Sequence, residues 1–196
     1  MYNLRKEITS VLIAGVGGQG TVLASKNLGL VAMKGGLDVK QSEIHGMSQR
    51  GGSVVTHVRY GKKVNSPLVP TGGADVIMAF EELEALRYLP YLKKEGLLIT
   101  NRQRMLPMPV ITGAASYPDD PVAEMKAKGA RVIAADASAI GQEKGDARAA
   151  NVVLLGILSR ELDFPEELWI QAIEESMKPK LVEMNLRAFA AGRALV

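Results

Sequence analysis

The stretch SVLIAGVGGQGTVLASKNLGLVAMKGG (residues 10–36) joins an apolar run, a glycine cluster and a helical pattern in that order. Its first part, SVLIAGV, reads as a buried strand: apolar, rich in β-branched residues and stopped by glycine. From Thr21 onward, Val22, Leu23, Leu28, Leu30, Val31 and Met33 recur at broadly helical spacing as far as Gly35 and Gly36. Between them lies a G-x-G-x-x-G match at Gly15, Gly17 and Gly20, with Gly18 and Gln19 inside it. In a dinucleotide fold the first glycine permits the tight turn, the second admits a phosphate to the backbone, and the third allows close helix–strand packing. The helix that follows offers free amide hydrogens and a positive dipole end to an anion.

Two features tell against an ordinary dinucleotide site. The acidic residue expected about 20 positions on, to grip a ribose, has only Asp38 and Glu43 as candidates. Asp38 is expected before the second strand, and Glu43 at its end, where the chain runs straight into a further glycine segment. Separately, a P-loop site is not expected, because GGQGTV lacks the lysine of GKS or GKT. The fingerprint alone leaves both readings open, a bound nicotinamide or flavin dinucleotide and glycines that serve only the turn.

The rest of the chain alternates strands and helices. DVKQSEI reads as a second strand, and SVVTHVRYG alternates, with Val54, Thr56, Val58 and Tyr60 on one face and Ser53, Val55, His57 and Arg59 on the other. YGKKV reads as a hairpin turn. ADVIMAF, EELEALRYLPYLKKEG and LLITN form a strand–helix–strand unit whose helix Pro90 should kink or break. Residues 102–121 carry four prolines and read as a connecting loop. DPVAEMKAKG is a short helix and RVIAADA a further strand; from Ala147 the pattern is helical, in three segments, with Pro165 suited to a helix start. The expected fold is α/β: a Rossmann-like layered sheet, mostly parallel with a hairpin, followed by a helical C-terminal region, in a single domain spanning residues 1–196.

Composition removes several functions. Aromatic residues make up 5% of the 196, leaving few stacking platforms, and 24 basic against 21 acidic residues give a mixed surface. Nucleic-acid binding is therefore not expected. There is no cysteine, so the chain's own thiolates can hold neither a disulfide nor an iron–sulfur cluster. No apolar run approaches the ~18 residues of a membrane span, and MYNLRKEITS does not lead into a signal-peptide core, so a cytoplasmic location is expected. Trp169, Ile170 and Ile173, with Leu181, Met184, Leu186 and Phe189, are expected to be core. The nine methionines could add adaptable contact surface, which makes self-association into a homodimer plausible.

A second stretch, EIHGMSQRGGS (residues 43–53), gathers a carboxylate, an imidazole, an amide, a guanidinium and three glycines. Arg50 before Gly51 and Gly52 could set a charge beside bare amides, suited to a phosphate or carboxylate. His45 beside Glu43 could carry a proton or act as a polar anchor. The plain alternative is a glycine bend with Arg50 in a structural ion pair. With two histidines and no cysteine, a metal site is not expected.

Taken together, GVGGQGTVLASKNL, SEIHGMSQRGGSVVTHVRYG and ADVIMAFEELEALRYLPYL resemble the gamma-type domain of the 2-oxoacid:ferredoxin oxidoreductase family, and ANVVLLG and NLRAFAAG extend the resemblance over nearly the whole chain. It is similar to the free-standing beta-subunit form of the indolepyruvate branch. GVGGQG and HGMSQRGGS stand where the pyruvate branch carries GRGGQG and ERRGAP, which points to aromatic or bulky 2-oxoacids. The resemblance implies oxidative decarboxylation on thiamine diphosphate, electrons leaving singly through [4Fe–4S] clusters to ferredoxin, and acyl transfer to coenzyme A. GDARAAN (145–151) is too short for the usual diphosphate–magnesium motif. Thiamine diphosphate, magnesium and the clusters are therefore expected on a partner alpha subunit. In this chain, Gly15, Gly17, Gly18, Gln19 and Gly20 become candidates for a coenzyme A phosphate, with the amides of Gly17, Gly18 and Gly20 as donors and Gln19 as a side-chain contact. Glu43, His45, Gln49, Arg50, Gly51 and Gly52 become candidates for a subunit interface or a wall of the partner's active site. No catalytic residue is expected in the chain itself.

Overall fold

The computed structural model describes residues 7–46 and 51–196. Strands β1 (Ile8–Val16), β2 (Asp38–His45), β3 (Ser53–Gly61), β4 (Ala74–Ala79), β5 (Leu92–Asn101) and β6 (Arg131–Ala135) form one sheet in the order β2-β3-β1-β4-β5-β6. The run β1-β4-β5-β6 is parallel, while β3 lies antiparallel between β1 and β2. The expected α/β sheet, mostly parallel with a hairpin and a helical C-terminal region, is the one observed.

Helices α1 (Thr21–Lys34), α2 (Glu82–Tyr88), α3 (Met108–Ile111), α4 (Pro121–Ala127), α5 (Ala137–Lys144), α6 (Ala150–Glu161), α7 (Glu166–Ser176) and α8 (Pro179–Arg193) complete the described elements. Because a parallel sheet is covered on both faces, its strand centres are continuous apolar runs, as in Val11–Ala14, Val76–Ala79 and Leu97–Ile99. Val11, Ile13, Met78 and Ile99 face a core shared with α1 and α5–α8, whereas Leu12, Ala14, Ile77 and Leu98 face α2 and α4. Trp169, Ile173 and Phe189 are buried as expected; Leu181 is partly exposed, and Met184 and Leu186 pack against the core edge. Helices α6 and α8 touch backbone to backbone at Gly156 and Gly192. A Cβ on Gly156 would fall 2.2 Å from the Phe189 carbonyl oxygen, and one on Gly192 2.0 Å from that of Val153.

Three expectations need correction. YGKKV does not turn a hairpin, because both edges of β3 are already taken by β1 and β2. The chain instead runs back irregularly, with the Arg59 Nη1 donating to the carbonyls of Ser66 and Leu68, and the Val69 N–H donating to His57 Nδ1 at 3.1 Å. The hairpin is β2–β3. Helix α2 stops at Tyr88, and after a single 3-10 turn containing Pro90 the segment LKKEG already belongs to β5. Helix α5 was not expected; Asp136 caps it by accepting from the Ala139 N–H at 3.0 Å. No described helix is long and apolar enough to cross a membrane.

Candidate functional site

The glycine loop lies at the carboxyl edge of the sheet, where β1 and β4 send their helices to opposite faces. That switch point is where open α/β sheets bind ligands. The Phe80 N–H donates to the Ala14 carbonyl at 2.9 Å, which closes the edge beneath the loop. Gly18 (φ +102°) and Gly20 (φ +89°) both adopt the left-handed backbone that side chains disfavour. Gly20 is also the N-cap of α1 and packs on Asn151, since a Cβ there would meet Asn151 Nδ2 at 2.6 Å. Gly15 makes room for the Gln19 side chain, which would lie 2.9 Å from an added Cβ.

Gln19 fastens the loop from within. Its Oε1 accepts from the Val16 N–H at 2.7 Å, and its Nε2 donates to Phe80 O at 3.2 Å and to Gln103 Oε1 at 3.0 Å. The Gly17 N–H donates to the Gly52 carbonyl at 2.9 Å. Among the described residues the amides of Gly18 and Gly20 meet no acceptor, and both glycines line a cavity together with the first turn of α1. That turn has neither a side-chain cap nor an acidic residue, so its positive end is uncompensated locally.

In front of the loop opens a cavity of about 510 Å³, walled by Leu23, Asn151, Met177, Leu181 and Met184 with Gly20 at its rim. Sequence reasoning assigned no role to Asn151, although it lies in the quoted ANVVLLG; only the fold brings α6 to the glycine loop. A charged cavity of about 260 Å³ lies at the opposite edge, where Lys93 pairs with Asp75 at 2.8 Å and Arg131 with Glu161 at 2.7 Å.

Both ends of the second stretch lie at the same carboxyl edge, at the end of β2 and the start of β3. Gln49 and Arg50 lie outside the described residues. Gly51 has φ +77°, and Gly52 supplies the carbonyl that receives Gly17. His45 is exposed, with Nδ1 3.0 Å from Gly46 O, and Glu43 is exposed, with a long 3.5 Å contact from Thr56 Oγ1. Glu43 and His45 alternate to the same side of β2.

The interposed β3 decides the dinucleotide question. In the ordinary arrangement the ribose-binding acid ends a strand adjacent to β1. Here β2 lies two strand spacings away, about 10 Å, so Glu43 is carried to the sheet margin. Asp38 begins β2 at the opposite edge, where Lys40 and the Val64 N–H hold its carboxyl below the ordinary range.

The start of α2 braces the first residue of β3 and the segment after β5 with buried carboxylates. Glu84 accepts from Ser53 Oγ and pairs with Arg87, Glu82 pairs with Arg104 at 2.9 Å, and Glu81 accepts from the Met105 N–H at 3.1 Å and from Tyr117 OH. Burial, then the bond to Glu81, pushes the Tyr117 phenol well above its usual range.

The chain belongs to the pyruvate ferredoxin/flavodoxin oxidoreductase family, whose model matches residues 10–195. Among its relatives is the indolepyruvate oxidoreductase subunit IorB of Thermococcus kodakarensis, 44% identical over 93% of each chain. The protein of the same name from Archaeoglobus fulgidus is 43% identical over 93% of this chain and 92% of that one. In fold, the chain is similar to the 2-oxoglutarate:ferredoxin oxidoreductase of Magnetococcus marinus, solved with 2-oxoglutarate, coenzyme A and succinyl-CoA bound. The TM-score is 0.75 at 20% identity, covering 97% of this chain but 31% of that longer one.

Proposed function

We propose that the chain is the cluster-free subunit of a cytoplasmic 2-oxoacid:ferredoxin oxidoreductase that oxidatively decarboxylates indolepyruvate or a related aryl pyruvate to its acyl-CoA. One observation carries this reading, the end-to-end match to proteins named as indolepyruvate oxidoreductase subunits. The displaced β2 argues in the same direction, because it leaves a stand-alone dinucleotide enzyme without its ribose-binding acid.

The donor set decides which groups the chain could hold. With no cysteine it offers no thiolate to a cluster. Among the described residues no three His, Asp or Glu side chains group to hold a metal ion. In this reading thiamine diphosphate, magnesium and [4Fe–4S] clusters belong to the alpha subunit, where they supply carbanion stabilisation and single-electron transfer to ferredoxin.

What this chain contributes is positioning. The amides of Gly18 and Gly20, with the uncapped start of α1, suit one phosphate of coenzyme A. Gln19 holds those amides in place through Phe80 and Gln103 rather than reaching outward. Leu23, Met177 and Met184 provide an apolar wall for the rest of such a ligand. The segment of Glu43, His45, Gln49, Arg50, Gly51 and Gly52 is assigned to contact with the alpha subunit or to one wall of its active site.

Anaerobic purification of the tagged chain from its own host tests the reading. A brown complex containing a cysteine-rich subunit and thiamine diphosphate is expected. A colourless chain that purifies without such a subunit and binds a dinucleotide would contradict it.

A further inference from the structure

We propose that the carboxyl-edge segment bearing Leu106, Met108 and Ile111 is the docking surface for the cluster-bearing partner subunit, with these three side chains as its apolar anchors. The proposal rests on the subunit reading above.

Leu106, Met108 and Ile111 are 54%, 67% and 61% exposed, although they lie within six residues of one another. From Met105 to Pro118 the chain carries no charged residue. Single exposed apolar side chains are ordinary, but three together on an uncharged projection make a patch. Depletion of charge with enrichment in methionine and large apolar groups marks the centre of an interface.

The segment is also held ready. Arg104 is fixed to Glu82, the Met105 N–H and Tyr117 OH are both fixed to Glu81, and Glu81 is 1% exposed. Pro107 and Pro109 restrict the backbone between these ends, and α3 shapes the tip. A segment tied at both ends by buried carboxylates loses little further freedom on docking, so contact at its tip converts more fully into affinity.

The occupant follows from what else is covered. Relatives that match over 93% of this chain are named as oxidoreductase subunits, so in the subunit reading a second chain packs on some part of it. One sheet face is covered by α1 and α5–α8, and much of the other by α2 and α4. The amino edge carries the paired charges Asp75–Lys93 and Arg131–Glu161. The carboxyl edge carries the glycine loop and its cavity, and in the subunit reading it is where a reacting centre on another chain arrives. Gln19 Nε2 lies 3.5 Å from Met105 Sδ, so the base of the patch adjoins the glycine loop.

The test replaces Leu106→Glu, Met108→Glu and Ile111→Glu together and titrates the full chain with the purified cluster-bearing subunit. The expected result is an unchanged melting temperature, because all three side chains are exposed, and an association about a hundredfold weaker. Met108→Ser alone should weaken it about tenfold. Met33→Glu, at the far end of α1 and 62% exposed, should leave association unchanged. Wild-type affinity in the triple variant would overturn the proposal. So would loss of self-association alone with partner binding kept, which would make a second copy of the chain the occupant. If the wild-type chain failed to bind that subunit at all, the subunit reading would fall, and this surface with it.

Discussion

The N–H of Gly17 donates to the carbonyl of Gly52 at 2.9 Å, joining the two glycine-rich stretches at the carboxyl edge of the sheet. It extends by one step the ladder in which Gly15 faces Val54 and Val16 faces Ser53. The first loop is thus fixed against Gly52, immediately before β3.

Gly20 and Gly18 should respond differently to alanine, although both have positive φ. At Gly18 nothing among the described residues lies within 4 Å of an added Cβ, so only backbone strain of about 1–2 kcal/mol is expected. At Gly20 the clash with Asn151 adds to that strain, and the total should reach about 2–4 kcal/mol. Urea denaturation of both variants checks the order. Gly20→Ala combined with Asn151→Ala should recover part of the difference, whereas equal costs in the two single variants would remove Asn151 from the account.

The crossing of α6 and α8 should tolerate no side chain. Gly156→Ala and Gly192→Ala would each set a methyl against backbone rather than against a movable side chain. Each should destabilise by about 1–3 kcal/mol or more. The double variant should cost less than the sum, because the first forced separation makes room for the second. Thermal unfolding of the three variants measures this.

Acid should weaken the fold partly through His57. Burial lowers the pKa of this imidazole from 6.5, and its Nδ1 accepts from the Val69 N–H, so the folded state holds the neutral ring. A depressed histidine contributes stability in full above the unfolded pKa. That contribution declines as pH falls below about 6.5, until the folded pKa is passed. His57→Asn, which keeps an acceptor, should flatten the stability profile between about pH 7 and 5. An unchanged slope would place the acid sensitivity elsewhere.

Glu95 is the one non-glycine residue among those described with positive φ, at 63°. Its side chain is exposed in the irregular stretch of β5. Glu95→Gly should therefore stabilise by about 0.5–1 kcal/mol, the relieved strain exceeding the added freedom of the unfolded chain. A rise in the urea midpoint is the expected result.

Much of this architecture was legible in the sequence because local pattern dictated it. The apolar run into Gly15, the helical spacing after Thr21 and the alternation of SVVTHVRYG each mark their element. Helix α5 was not legible, since ASAIGQEK offers only Ile140 as a large apolar residue and so carries almost no period. LKKEG reads as helix because lysine and glutamate favour one, yet pairing of Leu92 with Ala74 draws the segment into β5. The insertion of β3 between β1 and β2 could not be read either, because strand order depends on long-range pairing that no local signal encodes. The same holds for Asn151, Met177 and Met184, which line the cavity beside the glycine loop only through tertiary packing.

Ferredoxin reduction under anaerobic conditions, with indolepyruvate and coenzyme A, tests the central claim most directly. It compares this chain alone, the cluster-bearing subunit alone and the two combined. The account predicts turnover only for the combination, restored as this chain is titrated to equal amount. Full activity from the cluster-bearing subunit alone, or dinucleotide-dependent activity from this chain alone, would contradict it.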